Sequence, residues 1–408
     1  MKEKNIREKL ESEIKAGSGA SIIKLVSHLI ELAYNLKASD IHIIPEDNLV
    51  RIRLRIDGVL QDEMPLQKSI HSEIISRIKI LANLRTDEHQ AAQDGRFKMN
   101  LEEGNSIDMR VSIIPTYYGE NAVMRLLTDQ SQDFNLDSMG FSESDKSKII
   151  KAAKHPYGMI LATGPTGSGK TTTLYTLIKM LNTSGVSIIT IEDPIEYSIK
   201  GINQIGVNSK TGLTFANGLR SILRQDPNVI MVGEIRDAET AGIAVNTALT
   251  GHLVLSTIHT NDASTTLPRL IDLKIEPYLI ASTVNVAIGQ RLVRKICQDC
   301  KEEITLNSDE MKNLSEVISK DIYKRGNNFY KGKGCDNCNN TGYKGRVSIN
   351  EVLVVDNNIR SLINKKATAS EIKEEAKKQG MTTMLEDGFN KTKEGITTVE
   401  EILRILHE

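Results

Sequence analysis

Gly164-Pro165-Thr166-Gly167-Ser168-Gly169-Lys170-Thr171 decides the reading of this chain. It fits G-x-x-x-x-G-K-[ST], and its flanks agree. Gly158 to Thr163 reads as a short buried strand, and Thr172 to Leu181 as a helix, with Leu174, Leu177, Ile178 and Leu181 on its apolar side. Strand, glycine loop and helix form the context that gives the motif meaning. Backbone N–H groups of such a loop point inward and cradle phosphates, helped by the positive end of the following helix. Lys170 brings charge to the β and γ phosphates, the Thr171 hydroxyl is placed to ligate Mg²⁺, and Thr172 completes the binding stretch. The alternative, a glycine turn that merely joins strand to helix, does not account for four fixed residues with both flanks correct.

Outward from the loop, strands and helices alternate. Val186–Ile191 is expected as a strand, followed by Glu192-Asp193-Pro194-Ile195-Glu196. Leu213–Leu223 is expected as a helix, Val229–Val232 as a buried strand, Ala238–Thr250 as a helix, and Leu253–Ser256 as a strand leading to His259. That rhythm around one phosphate loop predicts a mostly parallel, RecA-like α/β sheet. Acidic and histidine residues then fall at strand C-termini, where such sheets keep their sites. Glu234 follows a four-residue apolar strand and is the candidate for polarising an attacking water; its alternative is a surface acid opening a helix. From Glu192, Asp193 and Glu196, one carboxylate is expected to hold a water on Mg²⁺ or orient the nucleophile, with turn capping around Pro194 as the alternative. His259, past a strand end, can reach a γ-phosphate, whereas His252, at the strand's start, reads as structural.

Before this core, the first 130 residues read as a small α+β domain. Residues 2 to 15 form a short charged helix, expected to be solvated and stopped by Gly17-Ser18-Gly19. Ser21–Leu36 carries a full apolar helical stripe. Ile41–Ile44 is expected as a strand. Val50, Ile52, Leu54 and Ile56 alternate with Arg51, Arg53 and Arg55 in a half-buried strand. A helix over 70–81 follows, then two alternating strands joined at Gly104-Asn105. Arginines on an exposed sheet face are mostly solvated, and on the residues alone Arg110 and Arg125 fall in that class with Arg51, Arg53 and Arg55. Thr128–Asn135 is polar and turn-rich, a linker. Ser142 opens a helix reaching Ala153.

All four cysteines sit in two Cys-x-x-Cys pairs, Cys297/Cys300 and Cys335/Cys338. Two such knuckles indicate a closed, tetrahedral, structural Zn²⁺ site, with the spacer looping out as a subdomain. After it, Thr368-x-x-Glu371 and Thr397-x-x-Glu400 resemble capping boxes before apolar helices. The domain boundaries that result are an N-terminal segment over 1–20, the small domain over 21–130, and the ATPase domain over 131–408. The last includes the zinc subdomain (297–338) and a C-terminal helical part (346–408).

Bulk properties narrow the class. The chain has 408 residues, 39% hydrophobic and 26% charged, which suits a folded multidomain protein. A formal net charge of −1 gives no bulk attraction to nucleic acid or an anionic membrane. The N-terminus has no apolar run of a signal peptide, and no stretch approaches the ~20 apolar residues of a membrane span.

Taken together, Gly164–Thr171, Ile191–Tyr197, Leu223–Asp237 and Thr250–Asn261 resemble the Walker A, Asp box, atypical Walker B and His box of the secretion ATPase superfamily. The tetracysteine element is similar to that of its type II secretion and type IV pilus assembly members. Ala38–Ile43, Arg53–Gly58, Gln93–Arg96 and Gly119–Leu127 match in the small domain. The resemblance implies a RecA-like P-loop NTPase core with a PAS-like small domain. It implies a homohexameric ring that hydrolyses ATP with Mg²⁺, working on an inner-membrane platform protein from the cytoplasmic face, without nucleic acid or a membrane span of its own. It reassigns Arg110 and Arg125 to the phosphates, with Glu192 assisting Glu234. It further implies closure of the small domain on the core when ATP binds. Two departures stand out: Asn228 occupies a place where the family often has Asp, and the chain begins almost at the small domain, which favours a pilus assembly motor. The rival expectations are a retraction motor, against which the cysteines speak, a DNA-processing ATPase, which requires a basic groove, and a nucleotide switch that binds ATP with negligible phosphate release, against which the intact Glu234 and Lys170 speak.

Overall fold

The computed structural model describes residues 2–15, 19, 21–101, 104, 106–127, 134–305 and 328–407. It divides into two compact units, Met1–Gln132 and Asp133–Glu408. Linker residues 128–133, Gly17 and Ser18 of the expected helix stop, and Asn105 of the expected turn lie outside the described residues.

In the first unit, α1 (Lys2–Lys15) and α2 (Ile22–Asn35) precede β1 (Ala38–Pro45), β2 (Leu49–Ile56) and β3 (Val59–Gln67). Then come α3 (His71–Leu81), β4 (Gln93–Asn100), β5 (Ser106–Thr116) and β6 (Gly119–Leu127). The strands form an antiparallel sheet in the order β3-β2-β1-β6-β5-β4. Alternation decides its faces: Ile41, Ile43, Val50, Ile52, Leu54, Ile107, Met109, Val111 and Ile113 join the helices in one apolar core, and the arginines take the other face. The expectation of a solvated first helix is not met. Ile6 and Leu10 are buried in that core, because apolar residues at i and i+4 share one face and that face packs on α2. β3 escaped the sequence reading because it is an edge strand containing Pro65 and little alternation.

The second unit opens with α4 (Glu143–Ala153), whose N-cap Ser142 accepts from the Asp145 N–H. Its main elements are β7 (Gly158–Thr163), α5 (Lys170–Leu181), β8 (Ile188–Glu192), β9 (Asn203–Gly206), α6 (Phe215–Ile222), β10 (Val229–Val232), α7 (Ala238–Leu249), β11 (Leu253–Ile258), α8 (Ala263–Asp272), α9 (Pro277–Thr283) and β12 (Val284–Ile296). β13 (Lys301–Ile304) and β14 (Phe329–Gly332) pair antiparallel beside the cysteines. β15 (Tyr343–Val354) and four helices follow: α10 (Asn357–Asn364), α11 (Ala369–Lys378), α12 (Met384–Lys393) and α13 (Val399–His407).

Seven strands make one sheet in the order β15-β12-β7-β11-β10-β8-β9, parallel from β12 to β9 with β15 antiparallel at the edge. Helices cover both faces, so β7, β8, β10 and β11 are buried throughout. Met159 and Leu161 of β7 enter one apolar cluster, and Ile160 and Ala162 the opposite one. This is the expected mixed α/β fold with a parallel sheet. The phosphate-loop strand β7 and the Glu234 strand β10 flank β11, so loop, carboxylate and His259 emerge side by side at the strand C-termini.

Thr368 and Glu371 form the expected capping box of α11. At the second, only a cap is kept and it lies one residue on: Thr398 Oγ1 accepts from the Glu401 N–H, the Glu401 carboxylate goes to Arg294 and Arg404, and buried Thr397 donates to the Arg294 carbonyl. Tertiary demand at Arg294 wins over local capping. A further box, Thr383 with Glu386, starts α12.

Candidate active site

The phosphate loop leaves β7 at Gly164, whose φ is +141°. A Cβ there would lie 2.3 Å from the Gln290 carbonyl oxygen, so only glycine lets the chain pass. Gly169, at φ +93°, is the N-cap of α5. Lys170 is buried, and its Nζ donates to the carbonyls of Gly164 and Pro165 at 2.9 Å each. Burial pushes its ammonium down to about 8, with the charge of Glu234 opposing that. Ser168 Oγ, within the loop, is buried with no partner among the described residues. A glycine-lined cradle with a buried lysine and an unpaired hydroxyl suits an anionic oxygen ligand. Thr171 and Thr172, in the first turn of α5, border the same cradle.

Glu234 stands two residues past the end of β10 and is largely buried. Its Oε2 receives Arg236 Nε at 2.6 Å and faces His259 Nε2 at 3.1 Å. Glu234 and His259 are therefore in contact, and the Glu234 charge acts on Lys170. Arg236 was not singled out from sequence; its spacing two residues from Glu234 is the only local signal. The helix-opening role goes instead to Asp237, whose carboxylate accepts from the Thr240 N–H at 2.8 Å.

Glu192 ends β8, and its backbone packs against Gly233. The carboxylate accepts from Tyr175 OH, from Thr190 Oγ1 at 2.5 Å and from Gln204 Nε2 at 3.2 Å. Burial raises its pKa, against those hydrogen bonds. Glu192 is thus fastened to α5 and β9 by partners different from those of Glu234. Nearby, Thr163 Oγ1 donates to the Thr260 carbonyl at 2.9 Å, tying the end of β7 to the His259 loop. His252 is structural, its Nδ1 lying 3.2 Å from the Thr247 carbonyl. Asn228 Oδ1 accepts from the Ser187 N–H at 2.8 Å, a job a neutral amide performs as well as a carboxylate.

In the first unit, Arg110 and Arg125 are cross-strand partners on the outer sheet face. Buried Asp40 holds Arg125 Nε at 2.9 Å and Arg55 Nε at 3.4 Å. Arg51 and Arg53 make ion pairs with Glu46 and Asp62, as surface arginines commonly do.

Cys297, Cys300, Cys335 and Cys338 converge, their sulfurs all within 4.8 Å of one another. Three of the separations are 3.8, 3.8 and 3.7 Å. A tetrahedron with metal–sulfur bonds of about 2.3 Å has edges of about 3.8 Å, so the four thiols fit a closed metal site and are too far apart for disulfides. The backbone N–H groups of Cys335 and Gly342 donate to Cys338 Sγ at 3.2 and 3.3 Å, as suits a thiolate.

A family model described as "Type II/IV secretion system protein" matches residues 15–404. The type II secretion system protein E of Xanthomonas campestris pv. campestris is 45% identical over 391 residues, covering 96% of this chain and 68% of that one. The type IV pilus assembly ATPase PilB of Thermus thermophilus is 46% identical over 380 residues, 93% of this chain and 42% of its own length. In three dimensions, the pilus retraction motor PilT with bound ADP superposes with a TM-score of 0.62 at 26% identity, covering 93% of this chain and 96% of that chain. The Legionella pneumophila ATPase DotB shares the fold, with a TM-score of 0.67 at 24% identity over 94% of this chain and 95% of that one.

Proposed function

This chain belongs to the type II/IV secretion system protein family, and we propose that it is a cytoplasmic motor ATPase, working as a homohexamer on an inner-membrane platform protein. Its output is assembly of a type IV pilus or of a type II secretion pseudopilus. The observation that carries this is the glycine cradle with buried Lys170, one strand away from Glu234 and His259. Among the described residues no helix is long and apolar enough to cross a membrane, which agrees with attachment through a partner. Relatives at 45% and 46% identity are a secretion and a pilus assembly protein, whereas the retraction motor stands at 26%. That difference, with the four-cysteine site, favours assembly over retraction.

In the mechanism, a triphosphate offers Lys170 anionic oxygens in place of the Gly164 and Pro165 carbonyls. The loop N–H groups and the Ser168 hydroxyl bind the same phosphates. Mg²⁺, held by Thr171, supplies charge neutralisation when bound with ATP. Glu234, whose Oε2 already holds Arg236 and His259, orients the water through its carboxylate. Glu192 assists by holding the adjoining strand end. The forked guanidinium groups of Arg110 and Arg125 are chemically suited to phosphate oxygens, and that is the role proposed for them. Zn²⁺ in the tetracysteine site is structural. The test is turnover: Glu234→Gln and Arg110→Ala should each bind ATP like the parent and lose at least about 10²-fold in hydrolysis. Near-normal hydrolysis in either variant refutes the role given to that residue.

A further inference from the structure

Val286 and Ile288 of β12 point into an apolar cluster, and alternation puts Gln290 next on that face. An amide there is expensive unless it is hydrogen-bonded. Gln290 is fully buried and satisfied at both ends: it accepts from Thr173 Oγ1 at 2.7 Å and donates to Asn350 Oδ1 at 3.3 Å. Its position along the strand is equally telling. Gly289 pairs with Thr163, so Gln290 borders the point where β7 gives way to the phosphate loop. Its carbonyl closes on Gly164 at the loop's first residue. Its side chain grips Thr173, the fourth residue of α5, just past the loop's last. One residue therefore touches both ends of the loop.

The chain of polar contacts continues. Asn350, the cross-strand partner of Gln290 on β15, donates its backbone N–H to Asp387 Oδ2 at 2.8 Å and its side-chain amide to the Gly140 carbonyl at 3.3 Å. Asp387 pairs with Lys391 at 2.5 Å, and Lys391 Nζ donates to the Ser348 carbonyl at 2.8 Å. Fully satisfied buried networks of this kind fix geometry better than apolar packing, which tolerates sliding. Reaction at a phosphate held by backbone N–H groups depends on such fixing, because a displacement of about 1 Å costs on the order of 10²-fold in rate.

We propose that Gln290 is a positioning residue for the phosphate loop, clamping both ends of the loop to β12 and anchoring them through Asn350 to α12 and the Gly140 turn. This role rests on the reading of the loop as the ATP site. The experiment measures dissociation constants of the fluorescent analogue mant-ATP with Mg²⁺, using the full chain. Gln290→Leu, which keeps the shape and removes the amide, should weaken binding about tenfold in the folded protein. Thr173→Val should do the same, since it removes the donor from the other side, and Thr173→Ser should restore parent affinity. The double variant Gln290→Leu/Thr173→Val should bind no worse than the weaker single variant, because both changes remove the same contact, and urea denaturation of each variant separates weakened binding from lost stability. Parent-like affinity in Gln290→Leu, or additive losses in the double variant, overturns the proposal. If Gln290→Leu does not fold, Thr173→Val decides, and parent affinity there overturns it. Lys170→Ala separates the two levels: if it binds mant-ATP normally, the ATP-site reading fails; if it loses binding while Gln290→Leu does not, only the clamp fails.

Discussion

Raising the pH should weaken ATP binding in a way set by one lysine. Burial holds the Lys170 ammonium down to about 8, whereas an ordinary lysine stands at 10.5. Below pH 8 the loop lysine is charged in the free and bound states, and affinity does not depend on it. Bound phosphates restore the charged form toward its ordinary range, so above pH 8 binding takes up a proton. Linkage then gives a loss of affinity of about tenfold by pH 9 relative to pH 7.5. Glu234 is the charged neighbour that opposes the depression, and Tyr175, pushed upward by burial and by Glu192, stays neutral across this window. The assay is calorimetric titration of Mg-ATP from pH 7.5 to 9.5 in two buffers of different ionisation enthalpy. Proton uptake should approach one per nucleotide near pH 9, and the dissociation constant should rise in step. Lys170→Arg, whose guanidinium stays charged throughout, should flatten the curve. A parent affinity that changes less than about twofold over the range, with no proton uptake, would refute the depressed lysine and the reasoning from its burial.

Two further outcomes follow from other parts of the second unit. Stripping metal with a chelator, or making Cys335→Ser, should unfold the β13–β14 element locally and release about one zinc per chain by metal analysis; full retention of secondary structure and protease resistance after stripping would count against a structural metal. At Glu401, burial would push the carboxyl up, but hydrogen bonds from Arg294 and Arg404 outweigh it and hold it down to about 2. A carboxyl depressed in the folded state adds stability above its unfolded pKa, and that stability fades as pH falls from about 4.5 toward 2. Allowing for screening at partly exposed Arg404, Glu401→Gln should cost about 2 kcal/mol at pH 7 and clearly less at pH 3 in urea denaturation; an equal cost at both pH values would exclude the ion-pair origin.

Features that depend on short, local geometry were legible in the residues. Gly164 to Thr171 is such a case, because a backbone cradle needs glycine and lysine at fixed offsets and nothing from elsewhere. The cysteine knuckles are another, since each pair sets its own turn and the metal geometry does the rest. The parallel sheet was readable from β7, β8, β10 and β11, whose apolar runs are short and bounded. That Glu234 and His259 would lie together was readable because both follow the C-termini of strands, β10 and β11, that are neighbours in the sheet. The fate of α1 was not, since two apolar residues in a charged segment look solvated until α2 offers them a surface. The one-residue slip of the last cap was not either, because Thr397 and Thr398 are equivalent locally and only the Arg294 carbonyl tells them apart.

What stayed hidden shares one cause: partners chosen by strand order. Thr163 meets Thr260 because β11 lies beside β7, though 97 residues separate them. Tyr175 reads as an apolar core position of α5, yet its hydroxyl ends on Glu192 across the sheet. Gln290 looks like an interruption in an apolar strand until β12 is placed beside β7 and β15, where its carbonyl, its amide oxygen and its amide nitrogen each find a separate partner. The loop proposed to bind phosphate is therefore written in one short stretch, while the residues that hold that stretch in place are scattered over three strands and a helix. A loop made of backbone donors has little stiffness of its own. Its precision must come from those scattered side chains, so a change at Gln290 or Thr173 should reach the nucleotide as surely as a change at Lys170, through position instead of charge.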